Sequence, residues 1–448
     1  MCKHDLDFSI DKLGPAKLMS PLHLSNRLDD MIANYVSDDE AVIYNIDTVL
    51  DAEPITKIFQ QKQLLEKAGP RERIFFDPKK VCAGIVTCGG LCPGLNDVIR
   101  SIVMTLWYQY GVRNIIGIPF GYNGFLHDYA FEPMRLEPDV VSYIHEHGGS
   151  ILGSSRGGAD TSAIVDTIEQ LNLNILFTIG GDGTQRGALA IYEEAKRRNR
   201  TLAVVGVPKT IDNDLSFVQR SFGFETAVSH AVNAVQAAHT EAVSAINGLG
   251  LVKVMGRESG FIAAHTALAS NDVNYVLIPE VPFDIEGENG LWINLKKRLE
   301  RRKHAVILVA EGAGQELLEA SNLVDASGNK ILSDIGVFLK EKFIQLAKRD
   351  GVNLNLKYID PSYIIRGSKA NPNDSIYCAR LGASAVHAAM SGRSGLLISM
   401  IHDRYVHVPI RMSVHERNVI DPESDLWRDV VISTGQPPLM LNSRLDTR

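Results

Sequence analysis

The chain has 448 residues, with 46 Lys and Arg against 53 Asp and Glu, a net charge of −7 and a pI near 6.0. That balance gives no electrostatic case for binding nucleic acid or an anionic membrane, and the length predicts two or three compact domains with ample apolar mass for cores. Five cysteines are no disulfide framework, and no apolar run reaches the roughly 18 residues that a membrane span needs. Met1–Ser20 lacks the apolar core of a signal peptide and Arg444–Arg448 does not match a peroxisomal address, so the expected compartment is the cytoplasm.

Residues 1–80 mix acids, bases and scattered prolines, with a small acidic run at Asp38–Glu40. A helix is predicted near Ile58–Lys67, ending before Pro70. The stretch reads as an arm packed on the core or on a neighbouring subunit, or as a regulatory arm.

Val81–Thr87 is a short apolar strand that opens into Cys88-Gly89-Gly90-Leu91-Cys92-Pro93-Gly94. A helix is predicted from about Asn96 to Tyr110, with Val98, Ile99, Ile102, Val103, Leu106 and Trp107 on one face and Gly111 as its C-terminal cap. Strand, glycine loop and helix together offer N–H groups to a phosphate. Cys88 and Cys92 have no second pair to complete a zinc site. No GxxxxGK[ST] occurs anywhere in the chain, and GxGxxG fails because Gly181 and Gly183 are followed by Arg186, so a P-loop and a dinucleotide fingerprint are both unsupported. Ile115–Ile118 is the next strand, followed by Gly121-Tyr122-Asn123-Gly124. In Gly148–Gly158, Arg156 stands beside Gly157 among glycines and serines, where a guanidinium has more use for a phosphate than for a core.

The most informative stretch is Phe177–Leu215. The apolar runs Ile175–Ile179 and Ala203–Val207 read as buried parallel strands. Each ends in a loop where an open parallel sheet binds ligands. The first loop holds Gly180, Gly181, Asp182, Gly183 and Thr184. Its glycines let the backbone approach a bulky anion, and Asp182 offers a carboxylate for a divalent cation among phosphate oxygens. The second holds Lys209, Thr210, Ile211, Asp212 and Asp214, a costly collection of charge unless chemistry needs it.

A long alanine-rich helix is predicted over about Thr226–Ala245, then a strand at Leu249–Val254 running into Met255-Gly256-Arg257-Glu258-Ser259-Gly260-Phe261. Val276–Pro279 and Ala305–Val309 follow, the latter ending at Ala310-Glu311-Gly312. Leu354–Ile359 leads into Asp360-Pro361-Ser362-Tyr363-Ile364-Ile365-Arg366.

GGDGT followed by PKTIDND, then MGRESGF, resembles the active site of the 6-phosphofructokinases, over about Val81–Ile410. GGDGT alone is shared with NAD kinases and diacylglycerol kinases; the TIDND loop separates them. The resemblance implies two doubly wound parallel α/β domains (Rossmann-like) with the active site between them. A nucleotide-binding domain is expected at 81–215 with a return near 391–412, a sugar-phosphate domain at 216–390 and a tail at 413–448, after the 1–80 extension. It implies that Gly89, Gly90, Tyr122, Arg156, Gly157, Gly181, Asp182, Gly183 and Thr184 face the nucleotide, with Mg²⁺ placed by Asp182. Asp212 is the implied base, with Arg156, Lys209 and Thr210 at the transferring group. Thr210, Ile211, Asp212, Asp214, Met255, Gly256, Arg257, Glu311, Lys357, Tyr363 and Arg366 face fructose 6-phosphate.

The implied reaction is phosphoryl transfer from ATP-Mg to the 1-hydroxyl of fructose 6-phosphate, by a homodimer or homotetramer. Many relatives have histidine at Tyr363 and often arginine at Lys357; a longer-chain branch has the tyrosine. Short bacterial relatives carry an arginine at the position of Gly248 that reaches into the neighbouring subunit's site. Pyrophosphate-using relatives have aspartate at Gly183 and lysine at Lys209, short ATP-using ones glycine at both, and an ATP-using longer branch combines glycine and lysine as here. A carboxylate at 183 would repel an α-phosphate, so Gly183 favours ATP, with pyrophosphate as the alternative donor. A lipid or NAD kinase would not need TIDND, MGRESGF or Tyr363–Arg366. A silent regulatory subunit would have lost Asp212, Asp182 or Arg257.

Overall fold

A computed structural model describes residues 7–46, 63–318 and 331–442. The chain divides into two compact units. The first comprises Met1–Thr210, Leu215–Gly223 and Ser368–Arg417; the second comprises Ile211–Asp214, Phe224–Gly367 and Asn418–Arg448.

The first unit is organised by a seven-stranded sheet. Its strand order is Arg404–Pro409, Leu396–Ile401, Ala203–Pro208, Ile175–Gly180, Cys82–Thr87, Asn114–Ile118 and Met134–Arg135. The five central strands run parallel, and the two edge strands are antiparallel to their neighbours. Strands Cys82–Thr87, Ile175–Gly180 and Ala203–Pro208 are buried at every residue. That is why they read as unbroken apolar runs: an inner parallel strand has no solvent face. Val86, Leu176 and Val204 pack with the helices Thr161–Gln170 and Asp182–Arg197. The alternating residues Ile85, Phe177 and Val205 are fully buried as well, so both faces of the sheet are covered.

The helix expected over Asn96–Tyr110 is α-helical at Leu95–Met104 and continues as a wider π-helical stretch, Thr105–Tyr110. Gly111 closes it in the left-handed conformation, φ 78°, as a C-terminal glycine cap does. Against this helix lies Pro372–Met390, and Ser101 Oγ donates to the Ala379 carbonyl at 2.5 Å. This packing brings Pro372–Met390 into the first unit. The return to that unit therefore begins at Ser368, not near 391, while Ile211–Asp214 belongs to the second unit.

The second unit has a four-stranded, wholly parallel sheet in the order Tyr275–Leu277, His304–Ala310, Gly248–Val254, Asn355–Ile359. Val252 and Val254 pack with Phe224–Val243, Phe261–Ser270 and the helix Asp425–Thr434; Leu249 and Leu251 pack with Leu291–Arg302 and Ile335–Arg349. Among the described residues, no helix is long and apolar enough to cross a membrane.

The helix expected at Ile58–Lys67 falls partly outside the described residues. Its described end is a strand, Leu64–Glu66, paired antiparallel with Ala41–Ile43. The period is two: Leu65 is fully buried, while Leu64 and Glu66 turn the other way. Glu66 and Asp38 meet two guanidiniums of the first unit, Arg71 and Arg393, exposed by only 4% and 2%. Both ends of each buried charge are paired, which is what its desolvation requires.

Candidate active site

In the first unit, the strand-end loops converge on a cluster of cations and glycines. The chain leaves Cys82–Thr87 and turns through Gly89, φ 88°, whose N–H donates to the Ser155 carbonyl at 2.9 Å; Ser154 Oγ donates back to the Gly89 carbonyl at 2.5 Å. Lys209 is buried and its Nζ donates to the Gly90 carbonyl at 2.8 Å. A Cβ on Gly89 would lie 3.1 Å from that Nζ, and one on Gly90 3.1 Å from an Arg156 guanidinium nitrogen. The bare glycines thus let two cations sit directly on the loop backbone. Gly157 follows Arg156 at a half-buried bend with φ 112°, while Arg156 itself is exposed.

Asp182 and Gly183 open the helix Asp182–Arg197, so the helix N-terminus faces the loop. Asp182 receives Arg186 Nε at 3.1 Å, and an Arg417 guanidinium nitrogen lies 4.0 Å from its other oxygen. Around Gly183 an added Cβ would meet nothing within 4 Å, whereas one on Gly181 would approach the Lys209 carbonyl at 3.2 Å. Thr184 is buried, and its carbonyl accepts the Tyr122 hydroxyl at 2.7 Å. Tyr122 is 7% exposed and lies in the core cluster, its hydroxyl committed beneath the helix. It supports the loop from below and leaves the nucleotide side to its neighbours.

In the second unit, Asp212 lies within a group of acids and arginines. Its Oδ1 is sealed from solvent and has no hydrogen-bond partner, while an Arg257 backbone N–H points at the carboxylate. Burial, then the charges of Asp214 and Glu311, push its pKa up to about 7 against the opposing pull of Arg366. Ser259 Oγ donates to the Asp212 backbone carbonyl at 3.0 Å. Gly256 and Glu311 stand at adjacent strand ends: Glu311 N–H donates to the Val254 carbonyl at 2.9 Å and Gly312 N–H to the Gly256 carbonyl at 3.0 Å. A Cβ on Gly312 would come within 1.8 Å of the Arg257 carbonyl. Ile211 packs on the core of this unit.

Not every expected residue turns toward this group. The Met255 side chain is buried in the core, so only its backbone is available. Lys357 is exposed on the edge strand, in register with Gly250 and short of the strand end. Tyr363 is 84% exposed, with the Arg366 guanidinium 6.0 Å from its ring centre. Thr210, in the first unit, is held by its carbonyl, which accepts Ser221 Oγ. Ser259 and Arg417 were missed in the sequence, since nothing local marks a serine that bonds backbone or an arginine more than 200 residues from its partner; Arg186 was also missed, although its i,i+4 spacing from Asp182 on one helix is a signal that could have found it.

The sequence profile described as Phosphofructokinase matches residues 82–389. The chain belongs to the phosphofructokinase family. An "ATP-dependent 6-phosphofructokinase" of Borreliella burgdorferi is 54% identical over 445 residues, covering 98% of each chain. A protein of the same description from Trypanosoma brucei brucei is 51% identical over 370 residues, 82% of this chain and 75% of its own. Among solved structures, a pyrophosphate-dependent phosphofructokinase from Marinobacter aquaeolei aligns with TM-score 0.65 and 18% identity over 82% of this chain and 98% of its own. That of Pichia pastoris phosphofructokinase in the T-state aligns with TM-score 0.61 and 23% identity, over 76% of this chain and 36% of the longer yeast chain. At these identities the structural likenesses bear on the fold alone.

Proposed function

We propose that this phosphofructokinase transfers the γ-phosphoryl group of ATP to the 1-hydroxyl of fructose 6-phosphate, giving fructose 1,6-bisphosphate and ADP, a step of glycolysis. The observation that carries the reading is the unpartnered, buried Oδ1 of Asp212, on a carboxylate whose pKa is pushed up to about 7. A general base works best when its pKa lies near the working pH. Asp212 accepts the hydroxyl proton as the sugar oxygen attacks the γ-phosphorus. The new O–P bond forms as the bond to the departing ADP oxygen breaks, and the proton ends on Asp212.

Arg156, Lys209 and the backbone N–H groups of Gly90 and Gly181–Thr184 meet the negative charge of the transferring group, while Gly89 N–H is spent on the Ser155 carbonyl and shapes the loop. Arg257 and Arg366 select a phosphorylated sugar, and Glu311 and Asp214 bind hydroxyls; Lys357, exposed on the edge strand short of its end, is left out of this set. Asp182 is the fitting residue for Mg²⁺, because that ion is commonly held by one or two carboxylates together with substrate phosphates. Held there, Mg²⁺ would supply positive charge against the phosphate oxygens of the donor. The main-chain link is short: Lys209 and Asp212 are three positions apart on one loop.

ATP is the donor in this reading. The open space around Gly183 leaves room for an α-phosphate, and the Borreliella burgdorferi and Trypanosoma brucei brucei relatives, at 54% and 51% identity, carry the ATP-dependent description. The pairing of Gly183 with Lys209 resembles the longer-chain ATP-using branch. The enzyme is expected to work as a homodimer or homotetramer in the cytoplasm. The test is a donor and acceptor panel on purified protein: ATP-Mg or pyrophosphate-Mg, with fructose 6-phosphate, NAD or diacylglycerol. Fructose 1,6-bisphosphate formed fastest from ATP supports the reading. Faster turnover of pyrophosphate overturns the donor, and product only from NAD or lipid overturns the acceptor.

A further inference from the structure

The segment Glu416–Ile420 lies beyond the residues matched by the family profile, and it runs alongside the loop that carries Asp212. Within the first unit, Leu215 and Arg417 form an antiparallel backbone bridge, and Ser216 Oγ donates to the Glu416 carbonyl at 2.7 Å. Arg417 also reaches Asp182, its guanidinium nitrogen 4.0 Å from Oδ2, while Arg186 holds Oδ1 at 3.1 Å.

Within the second unit the same run continues. The Asn418 N–H donates to the Asp214 carbonyl at 2.9 Å, and Asn418 Nδ2 donates to the Asn213 carbonyl at 3.4 Å. Two residues later the Ile420 N–H donates to Glu280 Oε1 at 2.8 Å. That same oxygen accepts the Gly260 N–H at 2.9 Å, at the end of the MGRESGF turn. Nearly every hydrogen bond here goes to or from backbone, so the segment fixes the path of the loop whatever side chains the loop carries. Arg417 is different, because one residue pairs its backbone with Leu215 and its charge with Asp182.

We propose that Arg417 is a positioning residue for the transfer reaction. It ties the donor-side carboxylate of Asp182 to the backbone of the base-bearing loop, so that donor binding sets the register in which Asp212 meets the sugar hydroxyl. The chemistry follows from charge. When a nucleotide with its divalent cation arrives, the Asp182 carboxylate turns toward the cation and releases the guanidinium. Arg417 then shifts toward the added phosphate charge, and its backbone bridge carries Leu215 with it. A misplacement of the base of about 1 Å is enough to cost one to two orders of magnitude in turnover.

This rests on the roles given above to Asp182 and Asp212, so the test separates the two. Turnover of ATP and fructose 6-phosphate by Asp182→Asn and Asp212→Asn, beside the wild type, checks those roles. Amide hydrogen exchange checks Arg417 and needs no turnover. In the wild type, adding ATP with Mg²⁺ is expected to slow exchange across residues 213–218 and 416–420. In Arg417→Ala that protection is lost, while the nucleotide still protects the loop at 180–184. In rate measurements Arg417→Ala is expected to lower kcat about 10-fold and change either KM by less than about 3-fold, the signature of lost alignment in the transition state. Arg417→Lys keeps the charge and the backbone bridge, and is expected to recover most of the rate. Arg428→Ala, on the exposed helix Asp425–Thr434, is the control and is expected to change neither readout. The proposal is overturned if Arg417→Ala keeps wild-type kcat, or keeps the donor-induced protection at 213–218. Should Arg417→Ala not fold, Arg417→Gln decides by the same two readouts.

Discussion

The hydroxyl of Ser259 donates to the backbone carbonyl of Asp212 at 3.0 Å, so the MGRESGF turn holds the base by its main chain and leaves its carboxylate to the chemistry. Ser259 is fully buried. Removing the hydroxyl leaves a carbonyl short of a partner and frees the loop. A buried hydrogen bond of this kind contributes about 0.5–1.5 kcal/mol. Ser259→Ala is therefore expected to lower kcat by about 3- to 10-fold, with the KM for ATP nearly unchanged. A change confined to the ATP KM would contradict this support role.

The pH profile is the next test. Burial, Asp214 and Glu311 push the Asp212 pKa up to about 7. Below that value the carboxyl is protonated and cannot accept the hydroxyl proton; above it the carboxylate is ready. The rate constant kcat/KM should thus fall with decreasing pH through an apparent pKa near 7. Glu311→Gln removes a like charge and is expected to move that limb to lower pH, whatever it does to the sugar KM. A limb that stayed in place, or moved upward, would detach Glu311 from the base.

Gly183 offers a substitution whose effects on folding and on catalysis part company. An added Cβ meets nothing within 4 Å, and position 183 lies in the first turn of Asp182–Arg197, where a carboxylate is favoured by about 0.3–1 kcal/mol. Gly183→Asp should therefore leave Tm unchanged or raise it. At about 4 Å, repulsion of an α-phosphate costs roughly 4 kcal/mol at an effective dielectric near 20, so kcat/KM for ATP should fall by two to three orders of magnitude. Thermal melting and donor kinetics on the same preparation check both halves.

Gly248 stands where short bacterial relatives place an arginine, and the structure gives the reason for the difference. An added Cβ would lie 2.0 Å from the Ala242 carbonyl oxygen, on a strand paired on both sides. No side chain fits without moving the helix Phe224–Val243. Gly248→Arg is expected to destabilise the fold by about 3 kcal/mol or more, and not to restore a cross-subunit contact. Chemical denaturation measures this; an unchanged midpoint would contradict it.

What could be read in advance follows from physical range. The strands Cys82–Thr87, Ile175–Gly180 and Ala203–Pro208 are buried on both faces, so their apolar runs and the loops after them stood out in sequence. Asp212, Arg257 and Glu311 follow directly from such strand ends. Tyr122 could not be placed the same way: a turn aromatic looks alike whether it faces a ligand or, as here, bonds Thr184 from beneath. The strand at Leu64–Glu66 was read as helix because its partner, Ala41–Ile43, and the arginines Arg71 and Arg393 give it its period. Arg417 lies 235 positions from Asp182, and no local pattern reports a pairing over that distance.

The central claim is that Asp212 is the general base, and Asp212→Asn tests it most directly. The amide keeps the shape of the side chain but cannot take the proton, and a positioned base contributes about 10²- to 10⁴-fold in rate. Steady-state kinetics of the variant with ATP-Mg and fructose 6-phosphate should show kcat lower by at least about 100-fold with little change in either KM, since the lost interaction belongs to the transition state. Turnover near that of the wild type would contradict the account.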